Sequence, residues 1–170
     1  MTVAIRRARP GDVAFLAELV THQDVEPFLA SVRAKEGGEI LAEVERSQEE
    51  PDAFGVFVIE VDGACAGTMR FERANLRSRI ANLGGLAVHP DFRGRRVADE
   101  AARLFQRHLV DDLGFHRLQL EVYGFNERAM VHAERSGFTR EGVRRRAYLR
   151  DGEWVDGVLF GLVAEDLEQG

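Results

Sequence analysis

His89-Pro90-Asp91-Phe92-Arg93-Gly94-Arg95-Arg96-Val97-Ala98-Asp99-Glu100-Ala101-Ala102 is the stretch on which the reading of this chain turns. An apolar run, Leu86-Ala87-Val88, comes just before it, and an amphipathic pattern with helical spacing follows. The pattern predicts a strand that ends at Pro90, a basic glycine-containing loop, and a helix entered near Arg95. The first backbone N–H groups of a helix have no intrahelical acceptor and carry a partial positive charge. A loop of this kind suits an anion, best a phosphate or pyrophosphate.

The rest of the chain is compatible with one domain spanning residues 1–170. Of its 170 residues, 45% are hydrophobic and 31% charged, and the formal net charge is −6. That balance argues against a bulk nucleic-acid binder. Cys65 is the single cysteine, so no intrachain disulfide can form. It sits in an apolar stretch and reads more readily as a small packed side chain than as a reactive thiol. The N-terminal stretch Met1–Arg7 lacks the apolar core of a signal peptide, and no apolar run approaches membrane-spanning length. A cytoplasmic location, with no membrane partner, is the expectation.

Working outward from the loop, Val3 and Ile5 mark a first strand, and Asp12 is placed to cap a helix through about Val20. Asp24 precedes a second helical stretch carrying Val25, Phe28, Leu29 and Val32. Gly37-Gly38 interrupts, and Ile40, Leu41 and Val44 mark a short helix ended by Pro51. Phe54–Val61 and Ala64–Phe71 flank the turn signal Asp62-Gly63. Ile80–Val88 is a central strand whose Gly84-Gly85 suggests a bulge or a close approach by another backbone. The helix after the loop places Val97, Ala101, Leu104, Phe105 and Leu109 on one side, and Gly114 stops it. Leu118, Leu120 and Val122 alternate with polar residues as a half-buried strand. Asn126 caps a helix to about Ser136, and Gly137 ends it. Two strands, near Phe138–Leu149 and Trp154–Val163, close the chain around Asp151-Gly152. The order predicts a mixed α/β or α+β layer fold around one sheet. Ile80–Tyr123 is its parallel crossover, with the anion loop at the carboxyl end of the first strand.

Three features fall in a fixed order: the strand Leu83–Val88, the loop Arg93-Gly94-Arg95-Arg96-Val97-Ala98, and Asn126…Ala129…Gly137-Phe138…Glu141-Gly142. Together they resemble the GNAT superfamily of acyl-CoA-dependent N-acyltransferases. With the Asp24 region and the ending Tyr148–Asp156, the chain is most similar to the branch of ribosomal-protein N-terminal and polyamine acetyltransferases. The resemblance implies a largely antiparallel, splayed central sheet of about seven strands flanked by helices. It implies acetyl-CoA as co-substrate and no metal. The backbone of Arg93, Gly94, Arg95, Arg96, Val97 and Ala98 would cradle the pyrophosphate, with Arg93 and Arg95 adding charge. The main chains of Leu86, Ala87 and Val88 would pair with the pantetheine arm, and one N–H near Leu86 or Val88 would polarise the thioester oxygen. Asn126 and Arg128 would meet the cofactor too, a role compatible with Asn126 acting as a helix cap.

Two departures stand out. Arg96 occupies a position where the family's loop carries a second glycine; its N–H stays usable if its φ is negative and its side chain points outward. Ala133 occupies the position where many relatives place a general-acid tyrosine. His132 is one helical step away, turned by about 100°, and reads as a packing or surface residue; Ser136 and Tyr148 are other candidates to approach the thiolate. For the base, Glu72 and Glu121 are candidates, each also readable as a solvent-facing strand position. His89 reads as an exposed strand-end residue, and Arg144-Arg145-Arg146 as an anion contact or a solvated edge-strand face.

The expected function is therefore an acetyl-CoA-dependent N-acetyltransferase in which a primary amine attacks the thioester directly in a ternary complex. An acyl-CoA-binding regulatory module with little catalysis, and a nucleotide-binding protein sharing only the phosphate loop, stay open at this stage. Acceptor sites in the superfamily are built from early helices and the last hairpin, here about Thr21–Leu41 and Arg145–Asp156. These hold Asp24, Glu26, Glu36, Glu39 and Asp151. The acceptor, a small-molecule amine or a protein N-terminus, stays open, as does a homodimer through the sheet edge or last strands.

Overall fold

A computed structural model describes residues 1–22 and 35–168. Its elements are β1 (Val3–Arg7), α1 (Val13–Thr21), α2 (Gly37–Glu49), β2 (Phe54–Val61), β3 (Ala64–Asn75), β4 (Ile80–Val88), α3 (Val97–Arg107), β5 (Arg117–Tyr123), α4 (Glu127–Arg135), β6 (Thr139–Arg150), β7 (Glu153–Val163) and α5 (Ala164–Glu168). The helix expected from Asp24 through Val32 lies outside the described residues, as do Asp24 and Glu26. Seven strands hydrogen-bond in the order β1-β2-β3-β4-β5-β7-β6. The pairs β1–β2, β2–β3, β5–β7 and β6–β7 are antiparallel. β4 and β5 are parallel, Ile80 against Arg117 through Asn82 against Gln119, which is the crossover read from the sequence. Among the described residues, no helix is long and apolar enough to cross a membrane.

The chain divides into two compact units, one of residues 1–73 and 83–105, the other of 74–82 and 106–170. The chain passes between them inside β3, inside β4 and inside α3, so no Pro-, Gly- or Ser-rich linker marks the division in the sequence.

In the first unit, Ala8, Leu16, Ile40, Val44, Phe54, Val56 and Val58 form a buried cluster, with Cys65 packed against it. That is the packing role expected for Cys65, and burial pushes its thiol pKa up. Phe57 meets Phe105 edge-on at 5.0 Å, and Phe71 lies 6.2 Å from the same ring, which anchors α3 on β2 and β3. Asp62 and Gly63 both have positive φ, as the tight β2–β3 hairpin requires. Two expectations are corrected. Asp12 makes no side-chain cap on α1; its carboxylate takes the Arg6 guanidinium at 2.7 Å and the Arg9 N–H at 2.8 Å instead. A charged partner in reach outcompetes a neutral helix N–H. Gly37-Gly38 does not interrupt but opens the 13-residue α2, where its first turn needs no side chain for packing.

In the second unit, β5 and β7 present Leu118 with Leu162, Leu120 with Phe160 and Val122 with Val158 in register on one face. All but Leu120 are buried. Asn126 Oδ1 accepts the Ala129 N–H at 3.2 Å, the predicted cap of α4, and Gly137 ends that helix with a φ of 98°. The short α5 carries no sequence signal strong enough to predict it.

Candidate active site

In the first unit, β4 ends at Val88 and the chain enters a short 3-10 turn, Pro90–Phe92, before the basic loop; α3 begins at Val97. The helix expected from near Arg95 thus starts later. The later start follows from the backbone: Gly94 has a φ of 80° and Arg96 a φ of 58°, neither of which continues a right-handed helix. Arg96 thus adopts the left-handed conformation of the glycine it replaces, with φ positive where the sequence argument asked for a negative one. The first helical bond of α3 runs from the Glu100 N–H to the Arg96 carbonyl at 3.1 Å. Among the described residues, no acceptor meets the backbone N–H groups of Gly94 through Ala98. Five consecutive donors, the Arg96 N–H among them despite its positive φ, stand at the start of an 11-residue helix, an arrangement that suits an anion.

Two side chains beside this loop take partners within the chain. Arg93 turns back, its Nε donating to the Val88 carbonyl at 3.2 Å, so it braces the end of β4. His89 is not exposed: its side chain retains 16% of its accessible surface, and its Nδ1 accepts the Asp91 N–H at 3.2 Å. Arg95 lies over the Phe92 ring at 6.0 Å. On β4, Leu86 is exposed whereas Ala87 and Val88 are buried. Gly85 has a φ of 63°, and its close neighbour is a side chain rather than another backbone. A Cβ there would meet Arg70 Cδ at 2.7 Å. Arg70 in turn pairs with Glu43 at 2.6 Å. Glu72, a candidate base, sits on β3 and is ion-paired with Arg46 at 3.4 Å on an exposed surface.

In the second unit, the other two catalytic candidates come together. The Glu121 carboxylate beside the Tyr148 hydroxyl, with burial second, raises the Tyr148 pKa. Arg144 completes the group, its Nη1 lying 3.4 Å from Glu121 Oε1 and 3.4 Å from the Tyr148 hydroxyl. Glu121 is on β5 and Tyr148 on β6, with β7 between them. Gly157 of β7 makes the pairing possible, since a Cβ there would lie 2.0 Å from Glu121 Oε2 and 2.6 Å from Tyr148 Cε2. No local sequence signal announces this, because the three residues are joined only by sheet register. Tyr148 also meets Tyr123 edge-on at 5.7 Å, and Tyr123 stacks on Phe125 at 5.5 Å.

Ala133 is buried in α4 and offers no proton donor. His132 Nε2 lies 3.4 Å from Ser136 Oγ, one turn along the chain. Arg128 is exposed in the first turn of α4, and Arg144, Arg145 and Arg146 are exposed on β6, the edge strand of the sheet. Glu36, Glu39 and Asp151 are exposed as well.

The acetyltransferase (GNAT) domain profile matches residues 2–139. The chain is similar to the SPbeta prophage-derived uncharacterized N-acetyltransferase YokL of Bacillus subtilis (strain 168), 25% identical over 98% of this chain and 92% of that protein. It is similar also to the spermidine N(1)-acetyltransferase of Escherichia coli (strain K12), 28% identical over 60% of this chain and 54% of that protein. Among solved structures, the Vibrio cholerae spermidine N-acetyltransferase in complex with CoA and spermine matches 98% of both chains with a TM-score of 0.87 at 18% identity. Mycobacterium smegmatis RimJ in complex with CoA-disulfide matches 99% of this chain and 85% of that one with a TM-score of 0.85 at 23% identity. At such identities the structural likeness establishes the fold. The profile carries the loop Arg93–Ala98 and the Asn126…Ala129…Gly137-Phe138 signature within its bounds. The chain belongs to the GNAT acetyltransferase family and is an N-acetyltransferase.

Proposed function

We propose that this N-acetyltransferase draws its acetyl group from acetyl-CoA and passes it to a primary amine by direct attack within a ternary complex. The observation that carries the reading is the run of unpartnered N–H groups from Gly94 to Ala98, which fits a diphosphate and leaves Arg95 and Arg96 free to add charge from the side. Arg93, by contrast, acts through Val88, fixing the last carbonyl of β4. The exposed edge at Leu86 is the part of β4 we assign to the pantetheine arm, with a main-chain N–H near Leu86 or Val88 as the oxyanion donor. Asn126 and Arg128 are carried as further cofactor contacts on the family resemblance.

When bound, acetyl-CoA supplies the acetyl group as a thioester. The amine must be neutral to attack; its nitrogen forms the new C–N bond as the C–S bond breaks, its surplus proton goes to a base, and the thiolate gains a proton. We assign the proton handling to the Glu121–Tyr148 pair: Glu121 as carboxylate base, directly or through water, and Tyr148 as the proton source that Ala133 cannot be. The raised Tyr148 pKa keeps that proton in place at neutral pH. Glu72, held by Arg46, is not needed. The Vibrio cholerae structure with CoA and spermine, and RimJ, supply the two acceptor classes to try, a polyamine and a protein N-terminus.

The test is thiol release from acetyl-CoA with a panel of spermidine, spermine, simple amines and ribosomal-protein N-terminal peptides. Saturable release with one acceptor class, and acetyl transfer confirmed by mass, is the expected result. Coenzyme A binding without release for any amine would overturn the assignment of catalysis to this site.

A further inference from the structure

We infer that His89 is a positioning residue for the coenzyme A loop, acting through the turn that joins β4 to the loop; the inference rests on the cofactor reading above. The turn is fixed from several sides. The His89 N–H donates to the Ala66 carbonyl at 2.7 Å, which ties it to β3. The His89 carbonyl accepts the Phe92 N–H at 2.9 Å, and the Pro90 carbonyl accepts the Arg93 N–H at 3.2 Å. The one side-chain bond in this set is from the Asp91 N–H to His89 Nδ1. It closes the first turn, where Pro90 has no N–H to give and Asp91 would otherwise be left unpaired. Immediately beyond lie Gly94 and Arg96, both at positive φ. A loop that places a bulky residue in the left-handed region holds its shape only if its flanks are fixed. His89 fixes the upstream flank, and α3 the downstream one.

Accepting the Asp91 N–H uses Nδ1 as the acceptor, so the ring carries its proton on Nε2. Among the described residues, the Asp91 carboxylate lies close by, its Oδ2 3.6 Å from Nδ1, and the His22 ring at the end of α1 meets the imidazole edge-on at 5.4 Å. Phe92 meets it edge-on at 6.5 Å. The ring is thus held in the orientation that caps the turn.

Calorimetric binding of coenzyme A to wild type, H89A and H89N at pH 8 tests this, alongside KM and kcat for acetyl-CoA and melting temperature. Asparagine is the informative replacement: in an Asx-turn its side-chain oxygen accepts the N–H two residues on. The expected result is a coenzyme A Kd raised about five- to tenfold in H89A, one net hydrogen bond's worth. The loss should fall on the acetyl-CoA KM far more than on kcat. H89N should restore the wild-type Kd. Unchanged Kd in H89A, or a Kd for H89N as weak as that of H89A, would overturn the inference alone. Failure of the wild type to bind coenzyme A would instead overturn the cofactor assignment.

Discussion

The Glu121 carboxylate and the Tyr148 ring lie together over the bare backbone of Gly157, so that residues of β5 and β6 meet across the strand between them. If this pair handles the proton of the leaving thiolate, Y148F removes the donor while leaving the ring against Tyr123. The expected result is a kcat lowered about 100-fold or more, the usual weight of a positioned acid, with coenzyme A binding unchanged. The wild-type rate should also fall at alkaline pH as Tyr148 loses its proton, above the ordinary tyrosine value because its pKa is raised. Steady-state kinetics from pH 6 to 11 check both; a kcat within threefold of wild type would remove Tyr148 from the chemistry.

Gly157 is predicted to tolerate no side chain without loss at the same pair. A methyl group there would meet Glu121 Oε2, which can swing away, and the Tyr148 ring, which is held by Tyr123. G157A should therefore cost about 1–3 kcal/mol, as overpacking does, and should lower kcat in parallel with Y148F. Urea unfolding together with kinetics separates the two effects. Gly161, four residues along β7, plays the same part for the Arg117–Glu141 ion pair, where a Cβ would lie 2.4 Å from Glu141 Oε2.

Arg96 holds a φ of 58°, and R96G places there the residue that the conformation favours. Relief of left-handed strain, partly offset by the greater freedom of glycine in the unfolded chain, leaves stability within about 1 kcal/mol of wild type. The cofactor effect has two opposed parts: easier approach of the backbone to a phosphate, and loss of one charge. If, as proposed, the N–H groups rather than the exposed side chain form the cradle, tighter coenzyme A binding is expected at 0.5 M salt, where the lost charge is screened. Calorimetry at low and high salt checks the sign.

How far the sequence reached depends on the range of the interaction concerned. The strands, the crossover and the caps at Asn126 and Gly137 were legible because period, turn residues and capping residues act over a few positions. The loop Arg93–Ala98 was legible as a break before a helix, yet α3 starts at Val97 rather than near Arg95 because of the positive φ of Arg96, a residue that propensity assigns to helix. Asp12 was misread because its partner Arg6 lies on the other side of a turn, within a network that includes Glu60. Glu121 and Tyr148 were each nameable, but their meeting was not, since 26 intervening residues and two strand registers decide it.

The Arg6–Asp12 pair gives the chain a defined acid sensitivity. The Arg6 hydrogen bond is the main cause that holds the Asp12 carboxyl below its usual value, with the Arg9 N–H assisting, against a smaller opposing effect of burial. A carboxyl depressed in the folded state contributes stability that is fully present above its unfolded value, about 3.9, and is lost as pH falls through the lower folded value. Wild type should therefore lose stability below about pH 4, the unfolded carboxyl value, more steeply than D12N. At pH 7 D12N should be less stable by about 1–2 kcal/mol, the worth of a hydrogen bond to a charged group. The cost stays at that level because Glu60 remains 3.1 Å from Arg6 Nε and keeps the guanidinium paired. The two stability curves should converge as pH falls through the lowered folded value of Asp12, below which it is protonated in both folded and unfolded chains. Urea unfolding of both proteins at half-unit steps from pH 2 to 7 measures this. Curves that stay parallel across the range would mean that Asp12 stabilises the fold by shape rather than by charge.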